Sequence, residues 1–410
     1  MVHLAPELIG IILRNINDDQ TLVSSRLVSK SFEAIGAPVV WRKLRIVKPG
    51  PSSKPRIPFE FISKASRISP YVKEIEFDTT NVQYPDELLE NIPGMLDEFL
   101  HFHNFKRLEA LCLVFPCTSM EPLEAMEEGD EPFDFEGFSY ADDSFEQLTP
   151  QRKVRTEILK KLAWIHLEHG FTVRTFTMRG LYPISHTGMH ANGLLSFMKS
   201  LRNLSITIPE IDVEVEDYAE PESTVFYEAF RKDFMHLLEA ATELRTFEYE
   251  GDEFGGGVGS SHWDSLTFPH LETLRLRRAS ICHDSPGSIR THALIKFILR
   301  HQATLKELHL GDCTIDVQSK TMFTWGEVFD IFREELKDLR QFTFLPLPEA
   351  DNSDNLSGPY VRYDRVYHYR LQHNPRGYEP TALMLADTNR LQALQRELNE
   401  RQSILMVTIC

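Results

Sequence analysis

Leu305-Lys306-Glu307-Leu308-His309-Leu310 sets an apolar residue, passes two positions, sets another, passes one and sets a third. The same spacing returns in Val72-Ile75-Phe77, Leu108-Leu111-Leu113, Val173-Phe176-Met178, Leu201-Leu204-Ile206, Leu244-Phe247-Tyr249, Leu271-Leu274-Leu276 and Leu339-Phe342-Phe344. Trp41-Leu44-Ile46 is an irregular opening copy. The last two apolar residues of each copy alternate as a half-buried strand does, so the residues between them share the opposite face. Between copies, apolar residues fall at three- and four-residue intervals, which predicts helices over 86–102, 151–168, 190–200, 224–241, 289–301 and 325–337. Strands alternating with helices predict parallel strands joined by crossover helices.

The pattern matches the core of a leucine-rich repeat, in which a short strand follows a turn. The expected fold class is α/β, with an irregular solenoid over 47–346 whose strands lie inside and whose helices lie outside. Copies begin 27 to 65 residues apart, so the array is expected to be a horseshoe with loop insertions. The competing reading is a generic α/β domain whose buried strands share this spacing. Residues 346–359, rich in Pro, Asp, Asn and Ser, close the repeats. The segment 347–410 is expected to cap them, ending in a helix over 381–402 with Leu383, Leu391, Leu394 and Leu398 on one side.

Ahead of the repeats, Pro6 suits the first turn of a helix, where its missing N–H is no loss. Leu8, Ile9, Ile12, Leu13 and Ile16 form one apolar stripe on that helix. Asn17, Asp18 and Asp19 make a polar turn, and Asp19 or Thr21 is placed to cap a second helical segment carrying Leu22, Val23, Leu27, Val28 and Phe32, which Pro38 ends. A unit of ~40 residues buries too little surface to stand alone. It docks either on the rest of the chain, as an N-terminal cap, or on a partner.

This module resembles an F-box, the helical unit that joins a substrate receptor to a cullin-based ubiquitin ligase. The resemblance rests on Leu4, Glu7, Leu8, Ile12, Leu13, the run Arg26-Leu27-Val28-Ser29-Lys30 with Phe32, and Trp41. The proline departs from the pattern: it stands at Pro6, with Ala5 in its usual place. An F-box over 1–46 followed by leucine-rich repeats is itself similar to a known family arrangement. The resemblance implies binding of a Skp-type adaptor, and through it a cullin, by Leu4, Pro6, Leu8, Ile9, Ile12, Leu13, Leu22, Leu27 and Val28, some of which must instead pack the module's own core. It implies a non-catalytic receptor that holds a client protein for ubiquitin transfer by other subunits. The alternative is a repeat scaffold for protein–protein interaction with no ligase role.

Composition narrows the classes. A chain of 410 residues has room for a large core. Its net charge of −17 argues against nucleic acid as a partner. No apolar run approaches the ~20 residues that span a bilayer, no secretory signal is visible, and five scattered cysteines fit cytosol or nucleus. No metal-ligand set or nucleophile motif is present, so no cofactor and no intrinsic catalysis are expected. His283 adjoins Cys282 without a second pair to complete a metal site. Gly251–Ser261 lacks the ending of a phosphate-binding loop.

Client contacts are expected on the strand face. Glu74, Glu76, Asp78, Arg179, Arg275, Arg277 and His309 occupy it, with Glu248 and Glu250. Strand neighbours would place Glu248 beside Arg275 and Glu250 beside Arg277 as internal ion pairs. The acidic trio at 74–78 has no partner evident in the sequence, so it is expected to meet a basic client. Residues 119–147 hold eleven Asp or Glu, no Lys or Arg, and the interleaved Phe133, Phe135, Phe138, Tyr140 and Phe145. They read either as a solvated loop or as a docking strip for a basic partner. Tyr360, Tyr363, Tyr367 and Tyr369, alternating with arginines, read as an edge or cap in preference to an RNA-stacking stripe.

Overall fold

Nine five-residue strands form where the nine copies predict them. The computed structural model describes residues 5–16, 21, 24–25, 28–47, 68–80, 100–115, 150–183, 185–209, 221–251, 260–279, 281, 289–313, 315, 324–345 and 382–409. The acidic segment 119–147, most of the glycine-rich loop, Cys282, His283 and the tyrosine-rich stretch lie outside these residues, as does helix 86–102 except for its end in a short 3-10 turn at Leu100–Asn104.

The chain divides into two compact units, Met1–Gly180 with His186–Leu201, and Leu181–Ser185 with Arg202–Cys410. This division falls inside the region read as one solenoid. The first unit holds α1 (Pro6–Arg14), α2 (Lys30–Val40), β1 (Lys43–Val47), β2 (Glu74–Asp78), β3 (Ala110–Val114), α3 (Pro150–His169), β4 (Thr175–Arg179) and α4 (Asn192–Lys199). The second holds β5 (Asn203–Thr207), α5 (Pro221–Ala240), β6 (Thr246–Glu250), β7 (Thr273–Arg277), α6 (Ala293–Arg300), β8 (Glu307–Gly311), α7 (Trp325–Glu335), β9 (Gln341–Leu345) and α8 (Ala382–Ile409).

In each unit the strands pair in parallel and in sequence order. The register aligns equivalent repeat positions: Leu44, Ile75, Leu111 and Phe176 form one row, and Leu204, Phe247, Leu274, Leu308 and Phe342 another. All the repeat-defining apolar residues are buried except Trp41 and Phe344, which are half-buried. They meet helices on one face of the ladder. Phe176 packs edge-on to Phe197 of α4 at 5.2 Å, and Phe342 to Phe329 of α7 at 5.9 Å. Full burial of each such side chain is worth about 1.5–3 kcal/mol.

A second feature repeats at strand entry. The carbonyl of the residue before a strand accepts two consecutive N–H groups from the next strand's entry. Arg42 accepts from Lys73 and Glu74 at 2.9 and 3.0 Å, and Lys73 from Glu109 and Ala110 at 2.7 and 3.0 Å. In the second unit Arg202, Arg245, Glu272 and Lys306 do the same, the last toward Arg340 and Gln341 at 2.7 and 3.0 Å.

Two expectations change. Lys43–Val47 is a regular ladder strand, so a module boundary at 46 cuts through it. The second apolar segment also does not run unbroken to Pro38. Ser29 is extended, and its side chain accepts from Phe32 N at 3.2 Å, so a new helix starts at Lys30. Pro38 lies inside α2, which runs on to Val40, and having no N–H it leaves the carbonyl of Ala34 without its usual helical donor.

The C-terminal helix α8 packs on α7. Arg401 Nη1 donates to the carbonyls of Leu336 and Lys337 at 3.0 and 3.2 Å, Arg390 pairs with Asp330 at 3.4 Å, and Leu394 and Leu398 are buried. Gln402 Nε2 donates at 2.6 Å to the carbonyl of Arg340, the last strand-entry residue. Close approach of the two helices depends on Gly326, where a Cβ would collide with Asp387 Oδ1 and the Arg390 side chain. Gly326→Ala is therefore expected to cost roughly 1–3 kcal/mol in chemical denaturation and to expose α8 to protease before the rest of the unit. An unchanged unfolding midpoint and cleavage pattern would show that α8 docks without this contact.

Candidate functional site

The N-terminal module presents two adjacent stripes on α1. One, Ile9 and Leu13, is buried at 3% and 0% exposure, with α1 packed on α2. At ~100° per residue the next stripe is Leu8, Ile11 and Ile12. Their exposures are 50%, 50% and 43%, and Val28, just before α2, reaches 69%. Pro6 at the helix start is also exposed. Of the nine expected adaptor contacts, Pro6, Leu8, Ile12 and Val28 thus face outward, and Ile9 and Leu13 form the module's core. Leu4, Leu22 and Leu27 lie outside the described residues. Ile11 was not among the expected contacts, although its position three residues after Leu8 puts it on the same stripe.

The strand face of the second unit follows expectation. Arg275 Nη1 lies 2.5 Å from Glu248 Oε1, and Arg277 Nη1 lies 3.4 Å from Glu250 Oε1. Arg277 also reaches Asp312 at 3.1 Å across Gly311, whose missing side chain leaves room for the arginine stem. His309 stands between Arg275 and Thr343 in the register, with Nε2 3.8 Å from Glu307. Burial lowers its pKa, helped by the charge of Arg275, so the ring favours its neutral form.

The acidic trio of β2 requires a correction, because it is fully partnered within the chain. Arg42 Nε lies 3.5 Å from Glu74, and Lys43 Nζ and Arg45 Nε lie 2.9 and 2.8 Å from Glu76. Arg45 Nη2 lies 2.6 Å from Asp78, and Arg179 comes within 4.0 Å of Glu76. Treating 41–46 as an irregular copy hid these cations. As a true strand, 43–47 alternates like the others, which places Lys43 and Arg45 on the face beside Glu74 and Glu76. The trio is not a free acidic patch.

Asp78 Oδ1 also accepts from Thr80 N and Oγ1 at 2.9 and 2.6 Å. Burial pushes the Asp78 carboxyl up, but the bonds from Thr80 and Arg45 outweigh it and hold it below the usual carboxylate range. A depressed folded-state pKa adds stability that is present above the ordinary value of 3.8 and is lost as pH falls through the depressed one. Asp78→Asn should therefore destabilise at neutral pH and flatten the acid limb of stability against pH; an acid limb parallel to wild type would show that other carboxylates govern it.

No group of three or more His, Cys, Asp or Glu among the described residues is arranged to hold a metal ion. Burial raises the Cys112 thiol and pushes Cys313 up to about 12, so neither is an activated nucleophile. No helix among them is long and apolar enough to cross a membrane. No family model matches the chain, and no curated protein matches it either.

Proposed function

We propose that this chain is the substrate-recognition subunit of a cullin-based ubiquitin ligase. The N-terminal module docks a Skp-type adaptor, and the repeat ladder holds a client protein for ubiquitin transfer by other subunits, in cytosol or nucleus. The chain itself is non-catalytic in this reading. The observation that carries it is the outward stripe of Leu8, Ile11 and Ile12 with Val28. An N-terminal cap would bury such a stripe within the chain, whereas a docking module keeps it open for a partner. The F-box resemblance of 4–41 gives that partner its identity, while Ile9 and Leu13 stay buried within the chain.

Purified chain and a variant carrying Leu8→Asp with Ile12→Asp are to be compared in pull-downs against a Skp-type adaptor, with circular dichroism checking both folds. Wild type is expected to capture the adaptor, and the variant to lose at least roughly tenfold in affinity with its fold intact. Absence of capture by wild type would sink the receptor reading and leave the protein as a repeat scaffold.

A further inference from the structure

His301 ends α6, and both nitrogens of its ring are committed to backbone groups of the second unit. Phe268 N donates to Nε2 at 2.9 Å, and Nδ1 lies 2.7 Å from the carbonyl of Phe297. A backbone N–H can only donate, so Nε2 carries no proton; Nδ1 carries it and donates to Phe297. Two main-chain groups thereby fix the neutral tautomer. The residue is 3% exposed and lies between the buried rings of Phe268 and Phe297, whose centroids are 6.0 and 4.7 Å from its own.

The same residue ties two turns together. Its ring holds Phe268, whose carbonyl accepts from Leu271 N at 3.0 Å where one repeat copy begins. Its own carbonyl accepts from Thr304 and Leu305 N at 2.9 and 2.8 Å where the next copy begins. A second ring proton has no acceptor, because on Nε2 it would point at the Phe268 N–H. Burial lowers the His301 pKa and the charge of Arg300 lowers it further, against a smaller opposing effect of the bond to Phe297. Arg300 is fixed beside it by donation to the carbonyl of Leu266. The 3-10 turns packed against α6 bring Asp264, already paired with Lys296 of α6 at 3.2 Å, and Arg290, which pairs with Glu334 and Glu335 of α7. At the other end of α6, burial and the charge of Lys296 lower the pKa of His292 as well.

We propose that His301 is an acid-sensitive latch: a second ring proton breaks the bond from Phe268 and releases the turn that leads into β7, while the strands stay paired. The opened turn binds that proton more readily than the closed one. The latch is therefore closed above the ordinary imidazole value of 6.5 and opens progressively as pH falls below it. This device belongs to the repeat itself and is measured without adaptor or client.

The test is hydrogen exchange of the full chain read by mass spectrometry, with rates converted to protection factors. Between about pH 7.5 and about pH 5.5, protection of the segment 266–271 is expected to fall about tenfold, while that of β8 stays within about twofold. Two substitutions remove the titrating ring: His301→Gln, whose amide keeps a donor and an acceptor, and His301→Phe, which keeps the ring shape. Either should abolish the fall, whatever its protection at the higher pH. His292→Gln removes the other buried histidine of the helix and should leave the fall as it is in wild type. Unchanged protection of 266–271 in wild type, an equal fall in β8, a fall that persists in a folded His301 variant, or its loss in His292→Gln would overturn the proposal. The wild-type and His292→Gln arms decide it even where neither His301 variant folds.

Discussion

The ladder depends on one carbonyl per repeat. Within each unit, a strand-entry residue with a following strand turns its C=O toward that strand and accepts two consecutive N–H groups, as Glu272 does from Lys306 and Glu307 at 2.8 and 3.0 Å. A slip of one residue would break both bonds and would rotate every apolar side chain from the helix-covered face to the open one. The bonds and the burial therefore select the same register. The loops and helices between strands vary widely in length, and this is tolerated because they meet the same fixed entry each time.

The charged features of the strand faces follow from that register. Alignment of equivalent positions puts side chains of neighbouring repeats side by side, so sign is set by neighbours, not by single strands. Glu248 and Glu250 beside Arg275 and Arg277 give a neutral surface. Glu76 and Asp78 beside Lys43 and Arg45 give buried acids under exposed cations. The described part of the N-terminal module differs, because its first helix buries Ile9 and Leu13 and leaves Leu8, Ile11 and Ile12 exposed.

The strands were legible because the three-residue apolar spacing repeats nine times, and Leu, Ile, Phe and Met at those positions have no other place to go than a core. The helices over 151–168, 224–241 and 325–337 were legible for the same reason and appear as α3, α5 and α7 within a few residues. What escaped was relational. The cations over Glu76 could not be read while 43–46 was assigned to a different module, since pairing belongs to two strands and periodicity to one. The break at Ser29 escaped because apolar spacing continues across it, and only a capping hydroxyl marks the new start. Ile11 escaped because a sequence stripe drawn through Leu8, Ile9, Ile12 and Leu13 merges two faces that the folded helix separates.

Gln402 has a meaning beyond its single hydrogen bond. Each strand-entry carbonyl waits for amides from the repeat that follows, so the ladder has a direction: its last member always ends on an open acceptor. Arg340 is that member, and the Gln402 side-chain amide occupies the place where a further repeat would dock. The C-terminal helix thus works as a stop signal written in the chemistry of the repeat itself. A chain that acquired one more copy after Leu345 would have to displace this glutamine before the new strand could bond to the Arg340 carbonyl.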